Sequence, residues 1–244
     1  MRSVVFSLWA LFAGLSLIIV GNGLQSTLLG VRASLSGFPT GVTGAVMACY
    51  YLGFMLGSWT TPRLIARVGP IRVFAALASL FSFAPLAHAL FVEPVAWAVV
   101  RLLSGACIVG IYIIVESWLN AEATNANRGR LLSLYLIVSQ GSMAAGQFLL
   151  QAADPLGFEL FVLISALGSL AVVPLMLTRH PAPRHEQHAA ISLQALTRRV
   201  PLTVVGILLV SLSYGAFYAI GPVYALEIGF EPSQIAWFMA AAIV

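Results

Sequence analysis

Two ionisable residues interrupt an otherwise apolar run. The stretch VVRLLSGACIVGIYIIVESWLN, residues 99–120, holds Arg101 near one end and Glu116 near the other. At 100° per residue Arg101, Gly105, Ile108, Tyr112 and Glu116 share one helical face, within about 80° of each other. The charges are about 22 Å apart along the axis, so they cannot pair within the helix. An arginine in hydrocarbon costs roughly 2.5–3.5 kcal/mol on insertion scales, so Arg101 is expected to face protein or a wet cavity. There it could bind an anionic group or bias a nearby protonation. Snorkelling to the nearer surface is the plainer alternative. Glu116 lies close to a helix end, where it is expected to join Arg67, Arg72, Arg128 and Arg130 in a gate network at one membrane face.

Amides supply the remaining polar chemistry. Ser133, Gln140, Ala144, Gln147 and Gln151 fall within about 40° of one line on a helix. Such a stripe is costly against lipid, because each amide there needs a partner. It either lines a wet path or bonds a neighbouring helix, and the path is the slightly stronger expectation. GNGLQ, residues 21–25, offers Asn22 and Gln25 and is expected to interrupt its helix in mid-membrane. The expected substrate path is therefore Arg101, Asn22, Gln25, Tyr112, Gln140 and Gln147. Gly53 and Gly57 form a GxxxG pair that reads as helix packing. The sequence contains no HExxH, no nucleophile elbow and no intramembrane carboxylate pair, so an enzyme is not expected. His180, His185 and His188 cluster in a polar loop without an ordered framework. No metal and no cofactor are expected.

The elements that must position these groups are membrane spans. Of the 244 residues, 60% are hydrophobic and only 8% charged, against about 25% charged in a soluble domain. A lipid bilayer is thus the first partner. The net charge of +4 reflects loop arginines rather than a nucleic-acid surface, and no nucleic-acid partner is expected. Apolar runs at 4–29, 41–61, 71–91, 95–119, 131–150, 158–178 and 202–228 are each long enough to cross about 30 Å of hydrocarbon. An eighth begins at Ser233. Pro94, Pro201 and Pro232 suit first helical turns, whereas Pro85, Pro174 and Pro222 should kink their spans. Ten of the twelve arginines fall on one side if the N-terminus is inside, which predicts a cytoplasmic N-terminus.

The longest polar stretch, 179–200, divides the first six spans from the seventh. A shift of 192 residues aligns the first span with the seventh without a gap: Gly14 meets Gly206, Gly23 meets Gly215, and Gly37-Phe38 meets Gly229-Phe230. The two spans share an orientation, so the repeat is parallel, six helices per unit. Parallel repeats of this kind are typical of transporters with a site between the halves. The expected organisation is a six-helix half at 1–178, a central cytoplasmic loop at 179–200, and the start of a second half at 201–244. Twelve spans would then complete the protein, and the chain is expected to be a fragment of it.

Local motifs carry a resemblance to the major facilitator superfamily (MFS). PRLIARVGPIR, residues 62–72, is similar to the loop motif G-x-x-x-D-R-x-G-R-R through Arg67, Gly69 and Arg72, with Ala66 in place of the acid and Pro62 in place of the first glycine. Arg101 and Gly105 supply R-x-x-x-G, similar to the fourth-helix motif associated there with proton coupling. The VES and NRGRLL elements within 114–150 resemble the bacterial YcaD-type branch. The Gly-Pro pair of the antiporter signature is missing from the fifth span. The resemblance implies an all-α integral membrane protein of MFS type, with a complete N-terminal six-helix half plus span 7 and the start of span 8. It implies a secondary active transporter of a small-molecule substrate by alternating access, with protons as a candidate coupling ion. It places the chain in a bacterial inner membrane, as a monomer at full length. A sensor built on the transporter fold, without net transport, is the alternative.

Overall fold

The computed structural model describes residues 8–177 and 193–243, and the expected histidine cluster lies outside them. Among the described residues the elements are helical. They run α1 (Trp9–Leu35), α2 (Thr40–Val68), α3 (Pro70–Leu90), α4 (Pro94–Glu122), α5 (Arg128–Phe148), a 3-10 turn (Leu149–Ala152), α6 (Glu159–Leu170), α7 (Val172–Leu177), α8 (Leu193–Arg199), α9 (Pro201–Glu227) and α10 (Pro232–Ala241).

Local chemistry sets the helix ends. Pro94, Pro201 and Pro232 each open a helix, where the missing N–H costs nothing. Glu93 caps α4 by accepting from the Ala96 amide at 3.0 Å, and Glu231 with Gln234 forms a reciprocal capping box on α10. The sixth span is broken at Ala171, between α6 and α7. Pro174 lies four residues after Leu170, the last residue of α6, so its ring crowds the carbonyl that would have continued the ladder.

Several span limits differ from the sequence reading. The first helix runs on to Leu35, so Arg32 belongs to its last turn rather than to an outer loop. The second continues through Pro62 to Val68, so the whole PRLIAR segment is helix and the link to α3 is Gly69 alone, at φ +85°. One proline removes a single ladder bond, and Arg63 Nη1 donates to the nearby carbonyl of Trp59. GNGLQ does not interrupt α1, nor does Gly215 or Gly221-Pro222 interrupt α9. The glycines serve contact instead. A Cβ on Gly23 would lie 2.5 Å from the Met143 carbonyl oxygen of α5, and one on Gly146 would strike the backbone of Val20.

Among the described residues six helices are long and apolar enough to cross a membrane: α1, α2, α3, α4, the α6–α7 pair and α9. The fifth-span helix, α5, has 21 residues, about 31 Å, but its polar stripe keeps it outside that group. It packs on α1 and α10, while α2 lies on α4, α3 on α4 and α6, and α9 on α1 and α2. The fully buried Leu15, Ile18, Ile19, Leu24, Leu28 and Leu29 make α1 the centre of the core. Between α2 and α4 the backbones themselves touch. Cβ atoms on Gly53 and Gly105 would strike Leu102 O and Tyr50 O, and one on Gly57 would lie 2.6 Å from Ala106 O. Lipid offers no hydrophobic drive for helices to associate, so close approach through small residues supplies the attraction.

The 192-residue repeat is present atom for atom at one turn. Phe38 N donates to Ala33 O and Phe230 N to Ala225 O. Gly37 N donates to Ser34 O, and Gly229 N to Leu226 O. Both glycines have positive φ, +78° and +90°. The limits 9–35 of α1 and 201–227 of α9 coincide after the shift, as do the starts of α2 and α10.

A methyl group at Gly105 should destabilise the protein by about 1–3 kcal/mol, because overpacking would force α2 and α4 apart. At Gly141, with nothing within 4 Å of a built Cβ, alanine should be neutral or stabilising by up to about 1 kcal/mol. Unfolding midpoints of purified Gly105→Ala and Gly141→Ala in detergent check the contrast.

Candidate functional site

The α2–α4 contact determines where Arg101 can go. Gly105 sits against the carbonyl of Tyr50, so one turn earlier on α4 the Arg101 side chain meets the Tyr50 ring. The guanidinium carbon lies 4.4 Å from that ring's centroid, a cation–π distance. Arg101 is only 5% exposed, and its Nε and Nη1 are buried without a hydrogen-bond partner. Snorkelling to the surface is therefore not what the side chain does.

Arg101 contributes to the wall of a cavity of about 80 Å³. Asn22 and Ser26 of α1, Met47, Tyr50 and Tyr51 of α2, Met143 of α5, and Tyr218 and Ala219 of α9 complete it. That volume is about the share of two or three waters at liquid density. The cavity therefore lies between the first six-helix unit and the first helix of the second. Ser26 and Tyr218 are equivalent under the 192-residue shift, so the repeat places one wall residue from each unit on the same chamber.

The expected path residues separate into groups. Asn22 lines the cavity with Arg101, its Oδ1 buried and unpartnered. Gln25 is fully buried with both amide atoms unpartnered, but it is not part of that wall. Tyr112 is half-buried against the core. Gln140 is exposed. Gln147 is fully buried between α1 and α5, where it bonds the Thr27 hydroxyl and donates to Gly23 O at 3.1 Å. In this structure Gln147 joins two helices. Ser26, Tyr50, Tyr51 and Tyr218 are wall residues that sequence reasoning missed. Their available signal was depth: tyrosines favour the membrane surface, and these lie well inside their spans.

The expected gate residues collect at one end of the bundle. Alternation of helix direction brings the end of α2 with Arg67, the start of α3 with Arg72, and the start of α5 with Arg128 and Arg130 to the side where α4 finishes. These arginines are exposed, as is Glu116, which accepts a 2.8 Å bond from the Tyr135 hydroxyl of α5.

Contacts between the two units concentrate at the opposite end. Gly30 packs on Pro222, Gly44 on Ile220 and Phe148 on Trp237, while Thr40 Oγ1 donates to Glu227 Oε1 at 3.1 Å. Exposure along α9 falls from 86% at Leu202, on the arginine side, to 2% at Val223. Among the described residues no cluster of three His, Cys, Asp or Glu is placed to hold a metal.

Replacing Gln147 by leucine should cost about 1–3 kcal/mol, since it strands Thr27 in the α1–α5 interface. A fall in the detergent unfolding midpoint of Gln147→Leu checks this.

Comparisons with known proteins agree with this architecture. The sequence model of the Major Facilitator Superfamily matches residues 3–244. An uncharacterized MFS-type transporter of Enterobacter sp. (strain 638) is 27% identical over 96% of this chain and 62% of its own length. The uncharacterized MFS-type transporter YcaD of Escherichia fergusonii is 26% identical over the same shares. The chain thus spans about 62% of the length of these relatives. Among solved structures, the nucleoside transporter NupG superposes with TM-score 0.76 at 14% identity, over 96% of this chain and 62% of that one. A bacterial homologue of the human lysosomal transporter Spinster, in an inward-facing and unoccupied conformation, gives 0.74 at 12%, over 98% and 59%. At such identities the likeness is one of fold.

Proposed function

The chain belongs to the major facilitator superfamily, and from that premise we propose that it forms part of a secondary active transporter of a small solute in a bacterial inner membrane. The observation that carries this reading is the buried, under-bonded Arg101 in a cavity shared by the two repeat units. An uncompensated guanidinium is expensive in a membrane interior and is retained where a ligand or a proton step uses it.

The mechanism is alternating access, with the repeat units rocking about the central chamber. The arginine-rich end is cytoplasmic by the positive-inside rule, and the N-terminus with it. Contacts between the units at the other end then close the outer side, and the structure is an inward-facing state. Residues 1–178 form one rocking unit, 179–200 the connection, and 201–244 the beginning of the other. Arg101 and Asn22 contact the solute. Glu116 with Tyr135 and the arginines at 67, 72, 128 and 130 stabilises one gate state. Arg101 couples the cycle to protons by biasing a nearby protonation rather than by carrying the proton itself, and the transporter works as a monomer.

Reconstituted into proteoliposomes, the protein should accumulate at least one member of a solute panel under an imposed pH gradient. Arg101→Ala should insert normally yet lose at least about tenfold in rate, which uptake of radiolabelled solute would measure. Wild-type rates in that variant would remove Arg101 from the path. Cysteines at Thr40 and Glu227, oxidised to a disulfide, should hold the outer end shut. Uptake should then stop and recover on reduction.

A further inference from the structure

The chamber's wall chemistry specifies more than a small solute. Among the described residues its one full charge is the Arg101 guanidinium, and no carboxylate lines it. On one face the guanidinium is covered by the Tyr50 ring, which attracts a cation but accepts no in-plane N–H bond. Nε and Nη1 lie in the plane and are buried with no acceptor. Arginine cannot lose its proton to escape this situation, so the unmet requirement is for negative charge. Glu116, on the same helix, is about 22 Å away along the axis and already accepts from Tyr135.

The rest of the wall limits what the anion can be. Among the described residues Met47, Met143 and Ala219 present thioethers and a methyl group, Tyr51 and Tyr218 present rings that each carry one phenolic hydroxyl, and Asn22 and Ser26 add an amide and an aliphatic hydroxyl. A polyol carries more hydroxyls than these few polar groups can pair, at a cost for each unmatched group. A dianion would place its second charge beside no cation. Soft, flat side chains suit a ring or a short hydrocarbon body.

We propose that this chamber selects a small organic monocarboxylate, its carboxylate held by Arg101 and its apolar body set among Tyr51, Tyr218 and Met143. The inference rests on the transport reading above, but binding tests it separately. The carboxylate takes the acceptor position in the guanidinium plane, a charge-assisted geometry that an amide or alcohol cannot match. Discrimination comes from the single charge: a neutral amide fills the same volume but offers Arg101 one uncharged acceptor in place of a charged, bidentate one.

The test is equilibrium binding to the purified protein in lipid nanodiscs by isothermal titration, using benzoate, phenylacetate and butyrate against benzamide, phenylacetamide and butyramide. At least one carboxylate should bind about tenfold or more tightly than its amide. Arg101→Gln should abolish that preference, while Arg101→Lys should keep part of it, showing that the site still folds. Equal affinity for acid and amide, binding of no carboxylate in the panel, or a preference that survives Arg101→Gln would each overturn the proposal. Proteoliposome uptake of the same compounds keeps the two readings apart. Uptake of neutral solutes alone sinks the monocarboxylate assignment and leaves transport standing. Arg101-dependent carboxylate binding without uptake supports the assignment and sinks transport.

Discussion

The backbone contact between α2 and α4 is the constraint that organises the centre of the molecule. Three glycines, Gly53, Gly57 and Gly105, let the two helices approach until carbonyl oxygens rest where Cβ atoms would be. Lipid competes with apolar side chains on equal terms, so this intimacy, not hydrophobicity, keeps the pair together. It also fixes a register. With Gly105 against Tyr50, Arg101 has one place to put its guanidinium, over the Tyr50 ring and into the shared cavity. A bulkier α2–α4 seam would open that register and release the charge toward lipid.

Polarity elsewhere divides between joining helices and facing the chamber. Gln147 spends its amide on Thr27 and Gly23, and Ser82 bonds Ser165 O at 2.7 Å across the α3–α6 interface. These groups have what they need from protein. Arg101 and the Asn22 carbonyl oxygen do not, and both lie on the cavity. Satisfied amides hold the unit rigid, whereas Gln25, fully buried with both amide atoms unpartnered, shows that an unmet group need not lie on the chamber.

The helices and the repeat were legible because hydropathy and a fixed 192-residue offset are one-dimensional signals. The offset even predicted the matched glycine turns at Gly37 and Gly229. Arg101 was legible because its insertion cost leaves few tolerable environments. What failed was the reading of GNGLQ as a break. Glycine weakens a helix in water, but in a packed membrane bundle it is where another helix fits, and Gly23 meets Met143 in that way. The glutamine stripe on α5 could not be resolved from spacing alone, because an amide facing a neighbour's carbonyl and an amide facing a cavity occupy the same helical angle. Tyr51 and Tyr218 passed unnoticed because a tyrosine in an apolar run looks like a surface anchor.

Placing the contacts between units at one end of α1 and α9 has a mechanical consequence. These helices are 27 residues long, about 40 Å, and the chamber at Asn22 and Ser26 lies near their midpoint. If one unit turns by about 10° around that contact, the chamber wall some 15 Å away shifts by roughly 3 Å, the width of a water, while the arginine-bearing tips sweep about 7 Å. The geometry is geared: a modest turn of one unit would move the arginine-bearing ends by about 7 Å but the chamber wall by only about 3 Å.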